Sequence, residues 1–258
     1  MQVLKTEKDQ LERKVSDLQK SLAMEKRNFE EEKKEKEKAL TRLSAVAGDK
    51  LRVNNPGIAD LSDENRPNKL AEKFSELYDN EWTELYEVLE ESGQTEEDII
   101  GNLLQILQET YNSSNNLAEN QRRELKKVIL HPANVGSRED IKPPEGILSK
   151  ITDIQKQTAS IVFGDVRKEI MESNKLISDG MNEVKRKYVE RCIQLCWMMA
   201  IQDPPMHLDF GPSANSEADK NVYRMYTKQG DKVDFVVWPA VFLHNQGPLV
   251  QKGVLQPK

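Results

Sequence analysis

Cysteine and long apolar runs are scarce in this sequence. Its 258 residues include two cysteines, Cys192 and Cys196, which a helix would place one turn apart. That geometry makes a mutual disulfide awkward, so buried thiols in a reducing compartment are the simpler interpretation. The most apolar segments are each shorter than the ~18 to 20 residues that a membrane span needs, and the N-terminus lacks the apolar stretch of a signal peptide. We therefore expect a cytoplasmic protein.

Motifs that carry catalytic chemistry are also missing. The sequence has no glycine-rich phosphate loop, no GxGxxG, no HExxH and no CxxC pair. Its histidines, His131, His207 and His244, lie far apart in the sequence and fit loop or edge positions better than ligand positions. Cys192 and Cys196 would form half a zinc site, which distant histidines would have to complete. We expect no enzymatic activity, no bound metal and no cofactor.

An excess of positive charge is absent as well. The chain has 38 basic and 44 acidic residues, which gives a net charge of −6. This balance argues against non-specific nucleic-acid binding by the chain as a whole, although local basic patches remain open. The apolar content of 37% with 32% charged residues is typical of a helix-rich protein with solvated faces.

Residues 1–48 predict a coiled coil. A heptad register places apolar residues at a and d positions at both ends of this segment, whereas the charged run from Glu30 to Lys38 leaves the middle of the seam poor. Such a seam favours self-association. A linker rich in turn residues is expected over residues 49–66, followed by a helical domain over residues 67–258. The seam residues expected to carry oligomerisation are Leu4, Leu11, Val15, Leu18, Leu22 and Phe29.

Three helices are expected in the first part of the domain. Pro67 suits the first turn of a helix that Gly93 ends. Thr95 followed by Asp98 is typical of a capping box at the start of a second helix, so these two helices should pack as an antiparallel hairpin. A third helix, over residues 117–130, is expected to bury its apolar residues Leu125, Val128 and Ile129 and to point its basic residues outward on one face. The basic residues are Arg122, Arg123, Lys126 and Lys127.

A long apolar helix is the element around which the domain is expected to assemble. Apolar residues recur with helical spacing from Ile177 to Met199, and the prolines that end at Pro205 stop the pattern. An interruption near Gly180 is left open, since glycine costs about 1 kcal/mol inside a helix. A bend at Gly164 is left open as well. The helical segment upstream carries the stripe Ile147, Ile151, Ile154 and Ile161.

The chain changes character after Pro205. Short strands are expected at residues 222–226, 233–238 and 249–255, as a small antiparallel sheet or an extended tail over the helices. If the apolar run around Trp238 is buried it is core, and if it is exposed it offers a partner an apolar surface. The predicted fold class is mainly α: a coiled coil, then a helical bundle with a small β or extended C-terminal segment.

Two basic clusters are candidates for binding an anionic ligand or partner. Cations are favoured at a helix C-terminus, and charged helix faces are commonly just solvated, so both clusters have a purely structural interpretation. Against an anionic membrane, however, each basic residue could add about 1 kcal/mol, and a coiled coil would present several copies together. The clusters are Arg122, Arg123, Lys126 and Lys127 in the third helix, and Lys185, Arg186, Lys187 and Arg191 in the long helix.

Short motifs in a fixed order give the chain a family resemblance. NEWTELYEVLEE lies in the first helix, followed by AIQDPP at 200–205, VVWPA at 236–240 and KGV at 252–254. Together, from Arg66 to the C-terminus, they resemble the C-terminal domain of the mitochondria-eating protein family. The preceding coiled coil is similar to that family's domain order.

This resemblance implies a non-enzymatic scaffold or adaptor of mitochondrial quality control, or mitophagy. Such a protein self-associates through its coiled coil and acts at the mitochondrial outer membrane from the cytoplasm. The partners it implies are further copies of the chain, the anionic phospholipid cardiolipin or outer-membrane proteins, and no nucleic acid. The alternative is a protein-only interaction module without lipid binding, in which the family domain is reused in another signalling or defence role.

Overall fold

A computed structural model describes residues 14, 19–22, 24–38, 64–130, 143 and 146–258. The chain divides into two compact units, Met1–Glu64 and Asn65–Lys258. In the first unit, residues 24–38 are helical, and Leu22 and Phe29 are exposed. Most of the predicted linker lies outside the described residues, so the coiled coil and its boundary stay predictions. The same holds for the predicted seam residues Leu4, Leu11, Val15 and Leu18.

The second unit opens with one continuous helical segment that contains a π-helical turn. Helix α1 spans Pro67–Leu77, the π turn spans Tyr78–Trp82 and helix α2 spans Thr83–Glu91. The large buried side chains in this segment recur every three or four residues, except that Trp82 comes five residues after Leu77. The wider i to i+5 turn of a π-helix absorbs the extra residue, so both side chains stay on the core face.

Helix α3 is a single helix of 35 residues, Glu96–Leu130. Its start confirms the predicted signals: Gly93 adopts a left-handed φ of 86°, and the Asp98 amide donates to Thr95 Oγ1 at 3.3 Å. The prediction of separate second and third helices was wrong. The polar stretch between them is helical because small side chains, buried one turn apart, leave room for other helices to pack there. These residues are Thr110, Ser114 and Ala118.

The remaining helical sequence forms three helices. Helix α4 spans Ile147–Ser173, the short helix α5 spans Lys175–Ser178 and helix α6 spans Glu183–Ala200. Helix α4 continues through Gly164, so no break occurs there. The apolar pattern from Ile177 onward therefore runs across α5 and α6 and not along one helix.

Two asparagines and a glycine set the boundaries of α5 and α6. The Asn174 side chain accepts a hydrogen bond from the Leu176 amide at 3.0 Å, and the Asn182 side chain accepts one from the Lys185 amide at 2.7 Å. Both are N-caps of the usual kind. Gly180 lies between the two helices with a left-handed φ of 62°, which confirms the interruption that was left open near this residue.

Six short strands form two small sheets at the C-terminal end. In chain order they are β1 His207–Asp209, β2 Tyr223–Met225, β3 Val233–Trp238, β4 Ala240–Phe242, β5 Leu249–Gln251 and β6 Gly253–Pro257. The sheets have the orders β1-β4-β5 and β2-β6-β3. Strand β2 pairs with β6 in parallel, whereas the other pairs are antiparallel. A purely antiparallel sheet was therefore the wrong expectation.

Helix α6 lies at the centre of the core. Its residues Tyr188, Cys192 and Trp197 are buried, and the helix packs against α1, α3 and α4. The Tyr188 hydroxyl donates to the Leu103 carbonyl oxygen of α3 at 3.0 Å. This architecture confirms the predicted class, mainly α with a small β segment at the C-terminal end. Among the helices that the structure describes, none is long and apolar enough to cross a membrane.

Candidate functional site

The first basic cluster does not form one outward face. Arg122 Nε donates to Gln155 Oε1 at 3.1 Å, and its Nη2 donates to the Ala200 carbonyl oxygen at 2.6 Å. Its Nη1 lies 3.3 Å from the Glu119 carboxylate. The guanidinium thus joins α3 to α4 and to the C-terminal end of α6. The prediction that Arg122 points outward with its neighbours was wrong, because Gln155 and the Ala200 carbonyl group, which accept two of its hydrogen bonds, belong to buried residues.

Helices α3 and α4 form an antiparallel hairpin. Gln155 Nε2 donates to the Ala118 carbonyl oxygen at 3.0 Å, and Asn174, just after α4, donates to the Glu109 carboxylate at 3.1 Å. Later residues of α4 therefore meet earlier residues of α3. It follows that the first turn of α4 lies towards the end of α3. We call residues 123–130 of α3 and 147–150 of α4 the hairpin tip.

The hairpin tip retains three cations of the first cluster. Arg123 and Lys127 are exposed and Lys126 is half-buried. Arg123 Nη2 donates to Asn120 Oδ1 at 2.9 Å, and Lys127 Nζ lies 3.9 Å from the Glu124 carboxylate. Both contacts are between exposed side chains within one turn of α3. Such contacts are worth little in water and leave the cations available to an external anion.

The last turns of α3 also expose apolar side chains. Val128 is 67% exposed and Ile129 is 47% exposed, so the expectation that they point into the core was wrong. Leu148 of α4 is exposed at the same tip. The signal was present in the sequence: Val128, Ile129 and Leu130 are consecutive, and a helix spreads three consecutive residues over about 200° of its surface. One core face cannot cover all three.

Lys185 of the second basic cluster holds the turn between α5 and α6. Its Nζ donates to the Leu176 carbonyl oxygen at 3.1 Å and to the Asp179 carbonyl oxygen. Burial lowers the pKa of Lys185, and the Asp179 carboxylate partly offsets this. This lysine therefore satisfies carbonyl groups at the end of a short helix and does not present its charge outward.

Two other members of the second cluster lie close to acidic residues of the first helical segment. Lys187 Nζ lies 3.5 Å from the Glu84 carboxylate, and Arg191 Nη2 lies 4.0 Å from the Glu76 carboxylate. Arg186 is exposed. Because Lys185 is held by carbonyl groups of the α5–α6 turn and no exposed large apolar side chain of the described residues belongs to this part of α6, this cluster is a weaker candidate for a membrane site than the hairpin tip.

Trp238 does not line an exposed surface. It is buried, and its ring centroid lies 4.7 Å from that of Phe74 and 5.2 Å from that of Tyr78. The apolar run that contains it is largely core, which is the first of the two alternatives that the sequence left open. The suggestion of an apolar partner surface at Trp238 was wrong, because α1 and the π turn already cover the indole ring.

The described residues hold no group of three His, Cys, Asp or Glu side chains that could bind a metal ion. Cys192 and Cys196 are both buried, and burial raises the pKa of both thiols. Neutral thiols are poor nucleophiles and poor metal ligands. His131 lies outside the described residues.

The motifs that carry the family resemblance serve packing. A Cβ at Gly253 of the KGV motif would lie 2.5 Å from the Tyr223 ring and 2.7 Å from the Trp238 carbonyl oxygen. Only glycine fits this site, where the KGV and VVWPA motifs meet. Gln202 of the AIQDPP motif is buried, and its Nε2 donates to the carbonyl oxygens of Met198 at 2.8 Å and Asn65 at 3.3 Å.

A known protein family matches nearly all of the second unit. A family model described as mitochondria-eating protein matches residues 66–257. The chain belongs to the mitochondria-eating protein family. No curated protein and no solved structure matches it. Membership in the mitochondria-eating protein family supports a role in mitochondrial quality control and an association with mitochondria.

Proposed function

We propose that this chain is a non-enzymatic scaffold that binds anionic mitochondrial lipid, of the cardiolipin type, at the hairpin tip. Residues 1–48 would join several copies through a coiled coil. The observation that carries the proposal is that the last two turns of α3 expose the apolar side chains Val128 and Ile129 as well as the cations Arg123 and Lys127, with Lys126 half-buried between them in the sequence. Membrane-bound proteins with an anionic surface are the remaining partner class.

The composition of the tip suits the boundary between lipid headgroups and acyl chains. Apolar side chains there would enter the outer part of the bilayer, while long basic side chains keep their charges at the phosphates. Arg123, Lys126 and Lys127 would contribute about 1 kcal/mol each at an anionic surface. Val128 and Ile129 add part of the ~1.5 to 3 kcal/mol that full burial of such a side chain provides.

These contributions predict weak binding by a single tip. A few kcal/mol corresponds to a dissociation constant of roughly a millimolar. Copies joined at residues 1–48 would bring further tips to the same membrane, and the second contact then forms at a high effective concentration. Self-association therefore matters for lipid binding in this proposal, and not only for assembly.

Vesicle flotation of tip variants tests the lipid site. The Arg123→Glu/Lys127→Glu variant should bind cardiolipin vesicles at least about tenfold more weakly than the unchanged protein. A matched control reverses two exposed lysines of the C-terminal segment, Lys228→Glu/Lys232→Glu, with the same change in net charge. This control should bind nearly as well as the unchanged protein.

A second variant separates the apolar contribution from the charge. Val128→Gln/Ile129→Gln keeps the charge and the helix propensity of the tip, and should weaken binding without abolishing its salt dependence. Equal losses in the tip and control charge variants would show a general charge effect and contradict a site at the tip. Normal binding by both tip variants would place the lipid contact elsewhere.

A further inference from the structure

Helix α4 carries an exposed apolar stripe that the fold leaves uncovered. Ile154 is 46% exposed and Ile161 is 79% exposed. They are seven residues apart, so they lie on one side of the helix, about 10 Å from each other along its axis. Of the predicted stripe of four isoleucines, only Ile151 is buried. We call residues 154, 157, 158, 161 and 164 the isoleucine stripe.

The isoleucine stripe lacks the charges of an ordinary solvated helix face. Its other members are Gln157, Thr158 and Gly164. Glycine is a poor helix former. A Cβ added at Gly164 would meet nothing within 4 Å, so packing within this chain does not explain why glycine occupies this position. Glycine does allow close approach by another backbone from outside. The stripe therefore has the composition of a helix contact.

Opposite charges stand at the two ends of the stripe. Lys150 and Asp165 are exposed, and in the described part of the chain neither side chain has a hydrogen bond or ion pair. They are 15 residues apart, roughly 22 Å along the helix, and cannot reach each other within one copy. A partner that carries the same two charges in the reverse order would pair with both.

We propose that the partner is a second copy of this chain, docked on the isoleucine stripe with its α4 antiparallel. Lys150 and Asp165 are symmetric about the midpoint between Gln157 and Thr158, and Ile154 and Ile161 are symmetric about the same point. One twofold axis there brings Ile154 against the partner's Ile161 and Lys150 against the partner's Asp165. Each contact occurs twice. A parallel pair would instead place Lys150 beside the partner's Lys150.

The contact is small and belongs to the weak class of interfaces. It forms readily only when copies are already held at high local concentration. This step rests on the proposed self-association through residues 1–48. The α4 contact would then connect the helical domains of copies that are already associated through residues 1–48. It could also link one such oligomer to another.

Disulfide trapping in the full chain tests the contact and its direction. Two differently tagged variants, Ile154→Cys and Ile161→Cys, are mixed, dissociated and reassembled, then oxidised under mild conditions. The mixture should form the cross-copy disulfide at least about tenfold faster than either variant alone, because antiparallel packing joins position 154 only to position 161. The native thiols Cys192 and Cys196 are buried and remain in every sample.

Three further variants control for random collision and for the charge pairing. Ser160→Cys is exposed on the same helix but about 100° away from Ile161, and should cross-link slowly with Ile154→Cys. Lys150→Asp on both copies should slow the specific reaction, because it sets two acids against each other. Adding Asp165→Lys to both copies should restore the rate of disulfide formation, because the two charges are then exchanged and attract again. If Lys150→Asp acted by unfolding the protein or weakening the helix, the second substitution would not restore this rate.

The outcomes separate this contact from the coiled coil. Faster trapping of Ile154→Cys with itself would show a parallel pair, and equal rates for all mixtures would show no contact; either result overturns the proposal. Protection of Ile161→Cys by cardiolipin vesicles, without cross-linking, would identify a membrane as the occupant and overturn it as well. A monomer by light scattering refutes the coiled coil, whereas an oligomer with random cross-linking refutes only the α4 contact.

Discussion

Arg122 of α3 and Ala200 of α6 are joined by a hydrogen bond of 2.6 Å from Nη2 to the carbonyl oxygen. Carbonyl groups in the last turn of a helix have no partner within the helix, and a cation there also meets the negative end of the helix dipole. Gln155 holds the same guanidinium from α4 at 3.1 Å. One basic side chain thus connects three helices.

Replacing Arg122 should destabilise the fold. We expect Arg122→Met to lower the free energy of unfolding by about 1.5 to 3 kcal/mol, because hydrogen bonds to a charged group are lost at buried acceptors. Arg122→Lys should keep only part of the stability that Arg122→Met loses, because lysine lacks the planar guanidinium group that reaches two acceptors. Urea unfolding followed by circular dichroism measures both. Arg123→Met, on the exposed side, should stay within about 0.5 kcal/mol, and equal effects at both positions would contradict this assignment.

The π turn should tolerate the deletion of one residue. Removing the exposed Asn80 shortens the spacing from Leu77 to Trp82 from five positions to four, which an ordinary α-turn accommodates. We expect the Asn80 deletion to fold and unfold cooperatively. Deleting the exposed Glu84 in α2 should instead rotate Leu85 and later residues by about 100° and expose them. If both deletions destabilise the protein equally, the π turn does not contain a residue that the helix can lose without changing which face is buried.

Stability should fall in alkaline solution. Burial raises the pKa of Tyr78 from 10.0 to about 12, and that of the fully buried Tyr188, Cys192 and Cys196 above their ordinary values. Above about pH 9 the unfolded chain loses these protons first while the folded chain keeps them. The unfolded state then binds fewer protons, so stability decreases as pH rises, by up to about 1.4 kcal/mol per pH unit for each fully buried group.

Urea unfolding from about pH 7 to about pH 11, with tyrosinate absorbance recorded in parallel, checks this dependence. Tyr188→Phe should reduce the slope above about pH 10, because it removes one of the protons that only the unfolded chain releases. Constant stability over this range would contradict the burial of these groups.

Two glycines should respond to alanine in opposite directions. Gly253→Ala places a methyl group 2.5 Å from the Tyr223 ring and should cost about 1 to 3 kcal/mol. Gly101 lies in α3 with nothing within 4 Å of a Cβ, so Gly101→Ala should stabilise the helix by about 0.5 to 1 kcal/mol. Thermal unfolding of the two variants gives the comparison. A stabilised Gly253→Ala variant would contradict the close packing between the KGV and VVWPA motifs.

Local signals in the sequence predicted the helix starts and stops well. Pro67, Gly93 and the Thr95 cap act within a few residues, so their effect does not depend on the rest of the fold. The Asn182 cap was equally readable and was missed, because the apolar stripe continues across it. An apolar pattern predicts which residues are buried, but it does not show where one helix ends and the next begins, because two successive helices can pack on the same core.

The α3–α4 hairpin could not be predicted from the sequence, because it depends on contacts between residues that are far apart in the chain. Asn residues around Ser114 are weak helix formers, yet α3 runs through them because α4 and α6 pack on its small buried side chains. Arg122 was predicted to be solvated because charge usually is. Arg122 is instead partly buried, and it donates a hydrogen bond to the Ala200 carbonyl group, 78 residues away in the sequence. A local sequence pattern cannot reveal such a partner.

Vesicle flotation of the intact chain, compared with the chain lacking residues 1–48, is the most direct test of multivalent lipid binding. The intact chain should float with cardiolipin vesicles and not with neutral phosphatidylcholine vesicles, and its binding should weaken as salt rises. Deletion of residues 1–48 should lower the apparent affinity by about 100-fold or more. Equal binding to cardiolipin and phosphatidylcholine vesicles, or equal affinity of the shortened and the intact chain for cardiolipin vesicles, would contradict multivalent binding to anionic lipid.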